Sequence, residues 1–184
     1  GSVVNGVSGN GSFMYTSPSV SGATVMVAYI NASDAVTDNS YMDFGITLSP
    51  EMIEGLSVGY ATGDDESTTG TVVSDSTMYA TYAYGSATVG FQRGNADSNQ
   101  GTNDISTTGI AISYQVTDDL AISYGENTVD FESTSKVDQE ASGVSISYTM
   151  GSMSLSGGMN TVDNIGGTTT ADKEGYEFAL GFAF

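Results

Sequence analysis

The sequence predicts an all-β protein, a transmembrane antiparallel β-barrel with about eleven strands present. Three observations carry this: a two-residue hydrophobic period along nearly the whole chain, connections that alternate between short and long, and aromatic residues gathered at two levels of the apolar face.

The period is clearest at the C-terminus. Tyr176, Phe178, Leu180, Phe182 and Phe184 alternate with Glu177, Ala179, Gly181 and Ala183. In a strand these two sets point to opposite faces, one large and apolar, the other small or polar. Upstream, Met42, Phe44, Ile46 and Leu48 alternate with Asp43, Gly45 and Thr47, and Val144, Ile146, Tyr148 and Met150 alternate with Ser145, Ser147 and Thr149. The same reading places strands at 10–17, 23–31, 39–49, 55–63, 75–84, 87–93, 106–115, 119–131, 140–150, 153–161 and 173–184. Most are roughly 8–11 residues long, near the length a tilted strand needs to cross a bilayer.

The short connections fall at 17–22, 50–54, 85–86, 116–118 and 151–152, and the long ones at 31–38, 63–74, 94–105, 133–139 and 162–172. Short periplasmic turns and longer extracellular loops produce this alternation in membrane barrels. With long loops outside, Tyr15, Tyr84, Tyr114, Tyr148 and Phe184 are expected at the lower ends of descending strands. Tyr29, Tyr60, Phe91 and Tyr124 are expected at the upper ends of ascending ones. Two belts of aromatic rings are what two membrane–water interfaces select.

Composition narrows the function. The chain has 22 acidic and 3 basic residues, a formal charge of −19, so it has too few cations to neutralise nucleic-acid phosphates. It has no cysteine and no histidine, which removes disulfides, thiolate metal sites and Ser–His or Cys–His nucleophile pairs. Residues 1–10 show neither the basic start nor the apolar stretch of a signal peptide, and no apolar run is long enough for a membrane helix. The regular alternation argues against a disordered acidic chain.

Gly, Ala, Ser and Thr dominate the small face and leave room for water in a wide lumen. Asp43, Glu177, Tyr41 and Tyr79 share that face and are the expected pore lining. Wall carboxylates concentrate cations and repel anions, so weak cation preference follows. A soluble sandwich fits the alternation equally well, and a secreted or surface-attached acidic β-protein, an adhesin or calcium-stabilised layer module, is the alternative. It explains neither the two aromatic levels nor the sorting of loops.

Two segments add a resemblance. Asn10-Gly11-Ser12-Phe13-Met14-Tyr15-Thr16-Ser17-Pro18 with Gly22-Ala23-Thr24-Val25, and Thr117-Asp118-Asp119-Leu120-Ala121-Ile122-Ser123-Tyr124-Gly125, resemble strand–turn–strand segments of Gram-negative general diffusion porins, especially the alphaproteobacterial type. Tyr176, Phe178, Leu180, Phe182 and Phe184 are similar to the terminal signal read by the barrel-assembly machinery. The resemblance implies an outer-membrane homotrimer of wide barrels, usually of about sixteen strands, passing small hydrophilic solutes. Eleven strands are too few and an odd number for such a barrel. The chain is therefore expected to be its C-terminal portion, one domain over 1–184, with residues 1–10 the tail of the constriction loop.

The densest acidic cluster is Gly63-Asp64-Asp65-Glu66-Ser67. Asp64, Asp65 and Glu66 are candidate Ca²⁺ ligands in an extracellular loop, because Ca²⁺ takes several carboxylate oxygens. The cluster lacks the EF-hand spacing, and a solvated loop is the competing reading. No other cofactor is implied. Arg93 shares the parity of Phe91 and is expected to face lipid or head groups. Paired carboxylates in a loop have no defined separation, so glycoside hydrolysis is not supported.

Overall fold

The computed structural model describes residues 12–30, 40–65, 72–98 and 103–183. Eleven strands form one antiparallel sheet in sequence order: β1 (Ser12–Thr16), β2 (Ala23–Ile30), β3 (Tyr41–Leu48), β4 (Leu56–Asp65), β5 (Val72–Tyr84), β6 (Ala87–Ser98), β7 (Ile105–Gln115), β8 (Leu120–Phe131), β9 (Gln139–Met150), β10 (Met153–Asp163) and β11 (Lys173–Phe182). Every predicted strand is present. A 3₁₀ turn at Ile165–Gly167 lies between β10 and β11.

Turn chemistry fixes the hairpins. Gly85 (φ 58°) and Gly151 (φ 59°) take the first position of two-residue turns, where a left-handed residue matches the twist of the flanking strands. Gly22 and Gly55 act differently. Each has positive φ and approaches the backbone of the next but one strand, so that a Cβ would lie 2.0 Å from the Ser49 carbonyl oxygen or 2.1 Å from that of Ala83. Those glycine carbonyls accept hydrogen bonds of 2.9 Å from the Ser49 and Ala83 amides.

The predicted ends of three strands are too short. β4 runs on to Asp65, β5 begins by Val72 and β6 reaches Ser98, through residues assigned to loops from sequence. Asp64 and Asp65 are therefore strand residues, which corrects their placement in a loop. Glu66, Phe184 and residues 1–10 lie outside the described residues.

Among the described residues the sheet has no second layer. Ala28 is the one buried hydrophobic residue among those described, and no described side chain is fully buried. The large apolar residues stand on one face in the open, with Tyr176 75%, Phe178 73% and Ile110 52% exposed.

The register shows how this face is arranged. Along one hydrogen-bonded row, Val25, Ile46, Tyr60 and Met78 are followed by Arg93, Thr108, Thr128, Glu140 and Asp163, so the apolar run ends between β5 and β6. On the row two residues nearer the short turns, Leu48, Val58, Ala80, Phe91 and Ile110 give way to Glu126, Ser142, Thr161 and Glu174 between β7 and β8. The border moves two residues for two strands. At about 3.4 Å per residue and about 4.8 Å per strand this is an incline of about 35°. That is the tilt of strands in a membrane barrel, crossed by a level apolar band.

Gly55→Ala is expected to lower the stability of the folded sheet by at least about 1–2 kcal/mol, because the side chain meets both a left-handed backbone and the Ala83 carbonyl. The folded fraction on unheated electrophoresis after refolding measures it, with wild type as reference.

Candidate functional site: the inner face of the sheet

Opposite the apolar face, the residues are small or hydroxylated. One row reads Ala83, Thr88, Ser113, Ser123, Ser145, Gly158 and Glu177. Ser123 Oγ and Ser145 Oγ are 2.7 Å apart and hydrogen-bonded across β8 and β9. The next row toward the long loops reads Thr81, Gly90, Ala111, Gly125, Gly143, Asn160 and Gly175. This face bounds a concavity of about 900 Å³ that runs from Tyr79 on β5 to Glu177 on β11.

The larger inner side chains lie across glycines of neighbouring strands. A Cβ on Gly59 would be 2.2 Å from Tyr79 Cε1, one on Gly143 would be 2.2 Å from Asn160 Oδ1, and one on Gly158 would be 3.1 Å from Glu177 Oε1. On β4, Gly63 is overlaid by Asp43 and Tyr41 of β3. Glycine thus lets bulky groups fold flat against the wall. All four predicted lining residues, Asp43, Glu177, Tyr41 and Tyr79, share this face by register. Tyr79 lines the concavity from the wall and does not project across it.

Sequence reasoning missed Asp75. It opens the predicted strand 75–84 beside a long connection and was not singled out as lining, but it is an inner-face residue of β5 and is only 6% exposed. Lys173, the first residue of the predicted strand 173–184, begins β11 on the inner row beside Val162.

The aromatic levels need one correction. Tyr60, Phe91 and Tyr124 are not at strand ends, because β4, β6 and β8 continue well beyond them. They are nonetheless the last large apolar or aromatic residues of the outer face on those strands. The same-face residues two positions on are Thr62, Arg93 and Glu126. Tyr124 donates its hydroxyl hydrogen to Glu126, joining the top of the apolar band to the polar collar above it. Tyr29 is exposed near the end of β2. At the other level Tyr15, Tyr84, Tyr114 and Tyr148 stand near the short turns, and Tyr82 stacks on Tyr84 with ring centroids 6.5 Å apart. Arg93 is on the outer face, as its parity requires, opposite Met78 and Thr108.

On the long-loop side, two connections dock on each other. The Asn164 side-chain amide donates to the Asp138 carbonyl (3.1 Å), the Val137 amide donates to the Gly167 carbonyl (3.2 Å), and the Gly166 amide donates to Gln139 Oε1 (2.9 Å). Lys136 Nζ sits 4.4 Å from the Phe131 ring centroid. No group of three or more potential ligands able to hold a metal occurs among the described residues.

A tilted single-layer sheet with an apolar exterior band, aromatic borders and a small-residue inner wall defines an outer-membrane β-barrel. The sequence matches the Gram-negative porin family over residues 1–138, and the chain belongs to that family, whose members are channels and not enzymes. In fold it is similar to the anion-selective porin from Comamonas acidovorans, with TM-score 0.73 and 13% identity, covering 94% of this chain and 59% of that one. It is also similar to in-vitro folded OmpT, an outer membrane protein of Vibrio cholerae, with TM-score 0.56, 15% identity, and 92% and 62% of the two chains covered. The loop L8 deletion mutant of OmpT gives TM-score 0.62 at 18% identity, covering 92% of this chain and 61% of that one. The chain spans about three-fifths of the length of these structures. No curated protein matches the sequence.

Neighbouring positions on β8 should respond oppositely to a charge. Ile122→Arg, on the apolar band, is expected to cost about 2–4 kcal/mol of folding free energy in lipid, and Ser123→Arg, on the inner face, much less. Denaturant titration of both variants in vesicles measures the difference.

Proposed function

We propose that the inner face is the wall of a water-filled channel for passive diffusion of small hydrophilic solutes and ions, with a weak preference for cations. One observation carries this reading: the sheet turns its large apolar side chains outward and lines its concave face with Gly, Ala, Ser and Thr. A secreted acidic β-protein would need a second layer over that apolar face, and none occurs among the described residues.

The charge preference follows from the wall. Asp43, Asp75 and Glu177 lie on the inner face, against the single cation Lys173 at its rim. Fixed carboxylates beside water enrich cations and repel anions. The Comamonas relative is an anion-selective porin. The acidic wall described here argues for the opposite sign in this chain.

The remaining features rest on the resemblance to alphaproteobacterial diffusion porins. These are a homotrimer, outer-membrane lipid around the apolar band, and recognition of Tyr176, Phe178, Leu180, Phe182 and Phe184 by the assembly machinery. In this reading β1 and β11, the two edges of the sheet, pair with further strands to close a barrel of about sixteen. The chain is then its C-terminal portion, and residues 1–10 belong to a constriction loop.

Planar-bilayer recording under a salt gradient tests the proposal. Stepwise openings with a small cation-selective reversal potential are expected, and the double variant Asp43→Asn, Glu177→Gln should move that potential toward zero. A strongly anion-selective potential in the unaltered protein would contradict it.

A further inference from the structure

The chain has 3 cationic residues. Lys136 lies over the Phe131 ring and Lys173 begins β11 on the inner face, so Arg93 is the one cation on the outer face of the described sheet. It is exposed and takes the first polar position after Met78 on its row, which puts it on the border of the apolar band. The acids of that face stand apart from it. From β8 onward the collar carries Glu126, Asp130, Glu140, Asp163 and Glu174. The outer-face positions of β5 and β7, on either side of Arg93, hold no acid. Level with Arg93 or on the row above it are Thr108, Ser76, Asn95 and Ser106, which are uncharged and can each donate a hydrogen bond. On its own strand Asp97 shares the face but lies about 14 Å farther along. There the Asp97 carboxylate accepts the Ser74 hydroxyl at 3.4 Å.

Below Arg93 the apolar face is dented. Ala80 is small between Met78 and Tyr82 on β5 and pairs with Phe91 across the ladder. A groove of about 440 Å³ opens there, with Tyr82, Val89, Phe91, Ile110 and Ile112 in its walls. Its upper row, Ala80, Phe91 and Ile110, is two residues from Arg93, about 7 Å along the strands. One sector of the outer face thus sets a guanidinium, uncharged donors and an apolar groove in line across the border of the band.

We infer that this sector holds a phospholipid with a single phosphate, the phosphate on Arg93 and one acyl chain in the groove over Ala80. A guanidinium presents a planar fork of N–H donors that matches phosphate oxygens, and the neighbouring hydroxyls and amide serve the remaining ones. The carboxylates of the rest of the collar repel phosphate. The interval from β5 to β7 is about 10 Å wide and admits one such group. A broad head group with several phosphates would meet Glu126 on one side and Asp97 above. This is a defined site, distinct from the general cover of lipid over the band, and it uses the outer face alone.

Native mass spectrometry of the folded protein released from detergent counts bound lipid. The probe is palmitoyl-oleoyl phosphatidylglycerol, and the diacylglycerol of the same chains is the comparison without phosphate. One phosphatidylglycerol is expected to stay on each chain, and the diacylglycerol is expected to leave. Retention should fall by more than half in Arg93→Gln, with partial rescue in Arg93→Lys. It should also fall in Ala80→Phe, which fills the groove and keeps the charge. Lys136→Gln removes a cation elsewhere and should change nothing. Mobility of unheated samples on electrophoresis verifies that each variant is folded. Equal retention of the two lipids, or unchanged retention in both Arg93→Gln and Ala80→Phe, would overturn the inference. Full displacement by inorganic phosphate, the mark of a free-anion site, would do so too, as would retention of a bisphosphorylated glycolipid alone. The readout needs no conductance, so the lipid site and the channel stand or fall separately.

Discussion

A single-layer sheet has nowhere within itself to hide an apolar face. Each Leu, Ile or Phe left in water forgoes about 1.5–3 kcal/mol relative to burial. Across the exposed aliphatic and aromatic side chains of β2 to β11 that penalty exceeds the stability of any ordinary domain. The fold is therefore stable only where another medium covers the face, and a bilayer does so at no packing cost to the protein. The same requirement fixes the secondary structure, because in hydrocarbon every backbone amide and carbonyl must pair, which antiparallel ladders between neighbouring strands achieve, with a register shift near Val72 and Ser74 at the long-loop end of β5.

Lipid outside frees the inner face from the work of a core. A soluble barrel of this material would fill its centre with Val, Leu and Phe. Here the inner rows are glycine and hydroxyl residues, and the few large groups lie flat. Tyr79 rests on Gly59, Glu177 on Gly158, and Asp43 with Tyr41 on Gly63. Each pairing spends a glycine to keep a polar side chain out of the lumen. The outer face also changes character along each strand. Above Tyr60, Phe91 and Tyr124 it turns to Thr62, Arg93 and Glu126 while the ladder continues, so the strands extend as a polar rim beyond the band.

Much of this was legible in the sequence because one face is apolar and the other is not. All eleven strands, and the shared face of Asp43, Glu177, Tyr41 and Tyr79, follow from parity alone. What parity cannot show is a strand with water on both sides. Asp64 and Asp65, Ser74, and Asn95 to Ser98 lack alternation, so they read as loops, yet they pair in register as strand. Asp75 opens the predicted strand 75–84, and its burial is not visible in the pattern. The tilt was hidden too, since it emerges only when the registers of several strands are laid side by side. Asp43 and Asp75 share a row on either side of Gly63 although they are far apart in sequence.

The most direct test uses the absence of cysteine from the chain. Ile112→Cys and Ser113→Cys are neighbours on β7 and point to opposite faces. In lipid vesicles, a membrane-impermeant maleimide should label Ser113→Cys through the water of the inner face and leave Ile112→Cys unlabelled until detergent replaces the lipid. Equal labelling of both positions, or labelling of Ile112→Cys alone, would contradict the account of a lipid-covered apolar face and a wet inner wall.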